Sequence, residues 1–180
     1  MTNLQRITTE YVPLEDRIRL TGESEDNEVI VLWLTQRLLS QVIAHLIKLI
    51  DKQSPALAKS GEITAHSNSL LQGFAQQAAE AELAPEAPVS TDTSSESWLV
   101  QEVDIALSPE GTLVLVLKRD TGPVTDQNEA GVARLTVEST QQRQWLGIVH
   151  AQWQRAGWPL ALWPTWMDEA PVSNDSKPLH

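Results

Sequence analysis

The chain has four histidines, His45, His66, His150 and His180, and their spacing assembles no ligand set. His45 and His150 each stand alone on a helix-patterned stretch. Neither has a second histidine one turn away, and no His-Glu-x-x-His pattern occurs, so neither reads as half of a zinc site. The absence of cysteine excludes disulfides, thiolate nucleophiles, iron–sulfur clusters and Cys zinc sites. Eight glycines form neither a phosphate-binding loop nor a dinucleotide fingerprint, and there is no Gly-x-Ser-x-Gly elbow. Glu15 and Asp16 are adjacent on a predicted strand, so they point to opposite faces and cannot work as an acid/base pair. Glu102 and Asp104 do share a strand face. No apolar neighbour is predicted to raise either pKa, and the pair reads as a solvated face. The run Asp-Gln-Asn-Glu-Ala-Gly at 126–131 fails as a calcium loop, because Ala130 and Val137 fall where oxygen ligands are needed. The chain is therefore expected to be non-enzymatic, with no cofactor and no metal.

What binding chemistry remains is aromatic. The segment QWLGIVHAQWQRAGWPLALWPTW, residues 144–166, carries five of seven tryptophans in a chain with one Tyr and one Phe. On a helix, Trp145, Val149 and Trp153 fall four apart with Ile148 beside them, a buried stripe. Gly157 suits a left-handed helix cap, Trp158 should fold back on the last turn, and Pro159 stops the helix. The residues that follow, LALWPTWM, are read as extended, with Leu160, Leu162, Pro164 and Trp166 on one face. Such a segment either straps a core shut or leaves Trp163 or Trp166 partly exposed as a contact. Trp158, Trp163 and Trp166 are the candidate binding residues. In a small-molecule or carbohydrate pocket, Gln144, Gln152 or Arg155 would be their polar partners.

These residues must be held by a fold that the patterning outlines. YVPLEDRIRL alternates Leu14, Ile18 and Leu20 against Glu15, Arg17 and Arg19, a half-buried strand. A polar turn follows, then VIVLWL, apolar on both faces and hence central in a sheet. Thr35 can cap a helix that ends near Gln53 before Pro55. Its positions Leu38, Leu39, Val42, Ile43, Leu46, Ile47 and Ile50 form a wide stripe, broad enough for a homodimer interface. Residues 54–67 are weakly patterned. NSLLQGFAQQAAEAEL suits a modest helix with Leu70, Leu71, Phe74, Ala78 and Leu83 inward. Residues 84–97, rich in Pro, Ser, Thr and acid, read as a flexible linker or long loop. Leu99, Val103, Ile105 and Leu107 then alternate in a strand, Ser-Pro-Glu-Gly makes a type I turn, and residues 113–117 form a second central strand. Ala133, Leu135 and Val137 face inward on a third. Ser139 and Gln142 make a capping box for the final helix.

Two strand-to-helix units thus resemble each other, with Leu39, Val42, Ile43 and Ile47 matching Trp145, Ile148, Val149 and Trp153. The fold expected is α+β: an antiparallel sheet of about five strands with two main amphipathic helices on one face, and a ββα unit as its pseudo-repeat. Residues 1–168 form one domain interrupted at about 84–97, and 169–180 form a disordered acidic tail.

The net charge of −11 is concentrated in residues 53–97, where one basic residue stands against six acidic ones. No Lys/Arg cluster offers the basic face that nucleic acid requires. No apolar run nears the roughly 20 residues of a membrane span, and no signal-peptide core is present, so a cytoplasmic protein is expected. The reading favoured is a protein-interaction module (an accessory, adaptor or assembly subunit) contacting another protein or itself through the Trp-rich segment. The alternative is a small-molecule or carbohydrate binder with a Trp-lined pocket.

Overall fold

Pro13 and the turn after it separate the first two strands into a hairpin. β1 (Thr2–Val12) is followed by a turn in which Glu15 donates to the Val12 carbonyl and Asp16 takes φ 47°. β2 is Arg17–Ser24 and β3 is Val29–Leu34. The computed structural model describes residues 1–53, 65–84, 86–91, 95–108, 111–125 and 129–168. The tail at 169–180, most of the weakly patterned stretch at 54–67, and Pro109 and Glu110 of the turn lie outside them.

Thr35 caps α1 (Gln36–Gln53), its hydroxyl accepting from the Leu38 N–H at 3.2 Å. α2 is Ala65–Ala81. β4 (Glu96–Leu99), β5 (Glu102–Leu107), β6 (Leu113–Lys118) and β7 (Val132–Val137) precede α3 (Ser139–Arg155). The strands form one mixed sheet of seven in the order β4-β3-β2-β1-β7-β6-β5. It is neither five-stranded nor wholly antiparallel, because β1 pairs parallel with β7 and β3 parallel with β4. β3 and β6 are central, as their two-sided apolar character predicts. Although β4 and β5 lie at opposite ends of the order, only Val100 and Gln101 separate them. The Val100 N–H donates to the Trp33 carbonyl in β3, and the Gln101 N–H to the Lys118 carbonyl in β6. The sheet therefore curls on itself, and this one stretch of chain joins its two ends.

The two halves repeat the pairing strand for strand. β1 begins parallel to β7, passes an irregularity between Leu4 and Arg6, and continues antiparallel to β2. The β4–β5 stretch begins parallel to β3, breaks at residues 100–101, and continues antiparallel to β6. Ile18 opposite Leu34 corresponds to Leu113 opposite Val137. On the helices Leu39, Val42, Ile43, Leu46 and Ile50 correspond in burial to Gln142, Trp145, Leu146, Val149 and Trp153. That register differs by three residues from the match the sequence suggests, because the strands, not the helical apolar residues, set it. The α3 cap moves with it. Glu138 is the N-cap, with its N–H bonded to the Gln141 side chain at 2.9 Å, so the cap lies one residue before the expected Ser139.

Both α1 and α3 bury their stripes in one core against the sheet. α2 packs on α3 instead, where Gly147 leaves no room for a Cβ beside the Glu80 carboxylate. Its polarity is the reverse of that expected. Gln72, Gln76 and Ala79 are buried, whereas Leu70, Leu71, Phe74 and Leu83 are exposed. The side chain of Gln76 donates to the Arg143 carbonyl at 2.9 Å, and Gln72 accepts from the Arg143 guanidinium. Polar contacts thus help attach this helix, which also packs against residues 165–167, buried Trp166 among them. Leu14, Leu99 and Leu107 are also exposed: the first sits in the turn after Pro13, and the buried residues near the other two are Trp98 of β4 and Val100, between β4 and β5.

Candidate interaction site

Tryptophan placement comes first, because the sequence points there. Trp158, Trp163 and Trp166 are 7%, 7% and 5% exposed. The expectation of a partly exposed Trp163 or Trp166 on an extended strap is corrected by the local geometry. Pro159 and Pro164 each precede a 3₁₀ turn, Leu160–Leu162 and Thr165–Met167, and the coiled segment turns its indoles inward. Gly157 adopts φ 68°, and Trp158 folds back edge-on to Trp153 with centroids 4.8 Å apart. The Trp158 indole N–H donates to Asp16 in the β1–β2 turn at 3.0 Å, which also accepts from the Tyr11 hydroxyl. Trp163 meets His150 at a tilt and Trp153 edge-on, and Trp166 lies under the Arg143 guanidinium. Gln152 is used internally, accepting from the Tyr11 N–H at 2.9 Å, and Gln144 donates to the Ala79 carbonyl. Arg155 is exposed in the last turn of α3.

The pseudo-repeat brings other residues together. Beyond its short parallel start, β1 pairs only with β2, leaving one edge open beside α3. β5 pairs only with β6 and leaves the corresponding edge open beside α1. A groove runs along each edge. The first, about 330 Å³, is lined by the consecutive residues Arg6, Ile7, Thr8 and Thr9, by Ile148 of α3, and by Leu83, Ala84 and residues 86–89 of the connector that follows α2. The second, about 440 Å³, is lined by residues 101–105 and by Leu38, Gln41, Val42 and His45 of α1. Successive side chains of a strand leave opposite faces, so a run of consecutive strand residues lines a groove where the strand has a free edge. Neither groove has a tryptophan in its lining.

The two grooves differ in what covers them. Across the first runs the connector that the sequence presents as a linker. Arg6 donates to the Ala87 carbonyl at 2.9 Å and pairs with Glu86, while the Val89 N–H donates to the Thr8 hydroxyl at 2.9 Å. Among the described residues no such segment lies across the second. There Glu102 and Asp104 flank the Lys118 ammonium, whose side chain is only 4% exposed, with Asp104 at 3.0 Å. Lys118 also donates to the Gly122 carbonyl, and the Gly122 N–H to Glu102. The lysine hydrogen bond, helped by the Gly122 N–H, holds the Glu102 carboxyl below its usual range, and Lys118 is raised by the same contact. Glu102 and Asp104 are thus solvated, at 35% and 56% side-chain exposure, and also pair with a buried lysine. They form an ionised clasp with one carboxylate in excess over the single ammonium.

The sequence signal for this site was the shared face of Glu102 and Asp104. The covered groove left no local signal, since Arg6 meets Glu86 only through the fold. Among the described residues no three His or carboxylate side chains gather in metal-binding geometry, and no helix is long and apolar enough to cross a membrane. Compared with protein-family models, curated proteins and solved structures, the chain matches none.

Proposed function

We propose that the chain is a non-enzymatic, cytoplasmic protein-interaction module, an accessory, adaptor or assembly subunit, whose partner is another protein or a second copy. One observation carries this reading. A groove along a free strand edge is open beside α1, while its counterpart beside α3 is walled by a segment of the same chain, residues 83–84 and 86–89. Free strand edges are templates for extended polypeptide, since their unpaired N–H and C=O groups seek partners. In this reading Trp158, Trp163 and Trp166 serve the interaction indirectly, by closing the core on which α1 and α3 are set.

The test is a photo-crosslinking residue placed at Gln41, on the α1 wall of the open groove, in the full chain and in native lysate. Its control is the same residue at Gln154, exposed on α3. A discrete polypeptide adduct from position 41 and not from 154 is expected. No adduct, or the same adducts from both positions, would remove the reading.

A further inference from the structure

The cross-strand ion pair that opens each groove is present in both halves, with its polarity reversed. Arg6 on β1 stands opposite Glu23 on β2, at 2.7 Å. At the corresponding place, Glu102 on β5 stands opposite Lys118 on β6. In the first half the cationic member faces the groove edge, and it binds the connector: Arg6 holds Glu86 and the Ala87 carbonyl of Glu-Ala-Pro-Val. In the second half the anionic member takes its place, and Asp104 replaces Thr8, whose hydroxyl accepts the Val89 N–H. Val103 and Ile105 correspond to Ile7 and Thr9, and Val42 and His45 to Trp145 and Ile148. The floor is therefore still apolar, and an acceptor still stands where Thr8 does.

We infer that the open groove between α1 and β5 binds an extended segment of a partner protein carrying Lys or Arg where Glu86 lies in the covered groove, followed within three residues by a small apolar side chain. This rests on the interaction-module reading and names the surface and the chemistry of its ligand. Charge complementarity selects the occupant: two carboxylates around one buried ammonium leave the groove wall one charge negative. The same charge argues against the chain's own spare copy of the segment. Glu-Ala-Pro-Val-Ser at 86–90 recurs at 169–173, and in the open groove Glu169 would be set against Glu102. Negative selection of that kind keeps an internal ligand out of a site meant for another.

The test uses the full chain and two peptides of residues 83–90, one with the native sequence and one with Glu86→Lys. Binding is read by NMR shifts of the amides of Val103, Ile105 and α1 residues 41–45. The lysine peptide should bind there at least about tenfold more tightly than the native one, the size of one modest charge contact. In the variant Glu102→Arg, Lys118→Glu, which gives the second half the polarity of the first, the preference should invert. Should that variant fail to fold, the wild-type comparison still decides. Equal binding of the two peptides at β5, or no binding of the lysine peptide, overturns the inference. So does binding seen only after Lys177→Glu, because the chain's own C-terminal end would then be the occupant. A position-41 adduct that persists while the lysine peptide does not bind removes this inference and leaves the interaction reading standing.

Discussion

Arg6 occupies in the first half of the chain the place that Glu102 occupies in the second: each sits on the strand after its break, facing the partner strand's opposite charge and bordering a groove. The pairing is conserved between the halves and the charge is not. One groove is covered by acidic chain from within, and the other presents an anionic wall.

The connector's hold on the first groove is polar and exposed, so it should be weak in energy and visible in dynamics. Arg6→Ala should cost no more than about 1 kcal/mol of global stability, as for surface ion pairs generally. It should markedly speed amide exchange at Val89, whose N–H depends on Thr8. Unchanged exchange at Val89 would mean the connector is held by something other than Arg6.

Gln142 lies at the place of Leu39 in the repeat, is 1% exposed, and neither amide atom has a partner among the described residues. Burying an unpaired amide is costly. Gln142→Leu should therefore stabilise the fold, by about 1–3 kcal/mol in a denaturant melt. A destabilised variant would show that the amide is satisfied in solution.

The reversed polarity of α2 gives a prediction against intuition. Phe74, 65% exposed, should be replaceable by Ala at a cost of about 0.5 kcal/mol or less. Gln76→Ala should cost more, about 1–3 kcal/mol, because it removes the bonds to Arg143 and Glu80. Equal costs for the two would refute this account of how α2 is attached.

How much of this was legible in the sequence follows from what is local. β3 and β6 declare themselves through apolar runs, β7 through its alternation, and α1 through its stripe and the Thr35 hydroxyl, all within a few residues. β1 does not: TNLQRITTEYV has few apolar residues, and its strand character comes from β2 on one side and β7 on the other. The two parallel pairings join residues far apart in the chain, so no turn chemistry announces them. The inward face of α2 was misjudged because Arg143, far along the chain, supplies the partner that makes Gln72 and Gln76 the buried residues. The burial of Trp145 and Trp153 is legible in their helical spacing. Beyond Trp158, two prolines at helix-turn starts converted an expected strap into 3₁₀ turns.

Removing the last indoles should therefore act on stability first. Trp163→Ala, a large-to-small change at a buried site, should cost about 3–5 kcal/mol. Trp33→Ala, at a partly exposed position, should cost less. Chemical denaturation compares them directly, and a cost below about 1 kcal/mol at Trp163 would contradict its place in the core.

His150 links that core to pH. Burial against the Trp163 ring pushes its pKa below 6.5, only partly opposed by Asp168 at 3.4 Å and by Glu80. The native state thus resists a proton that the unfolded chain accepts near 6.5. The stability this confers is complete above that value and is lost as pH falls through the folded pKa. The melting temperature should decline as pH falls below about 6.5, and His150→Leu should flatten that decline. An unaltered slope in the variant would place the titrating group elsewhere.

The central claim is that one strand edge is covered by the chain itself and its counterpart is open to a partner. Hydrogen exchange on the full chain tests it most directly, comparing β1 residues 6–11 with β5 residues 102–107. The account predicts faster exchange along β5 in the free protein, slowed to the β1 level when the Glu86→Lys peptide is added. Equal protection of the two edges in the free protein, with no change on adding the peptide, would contradict it.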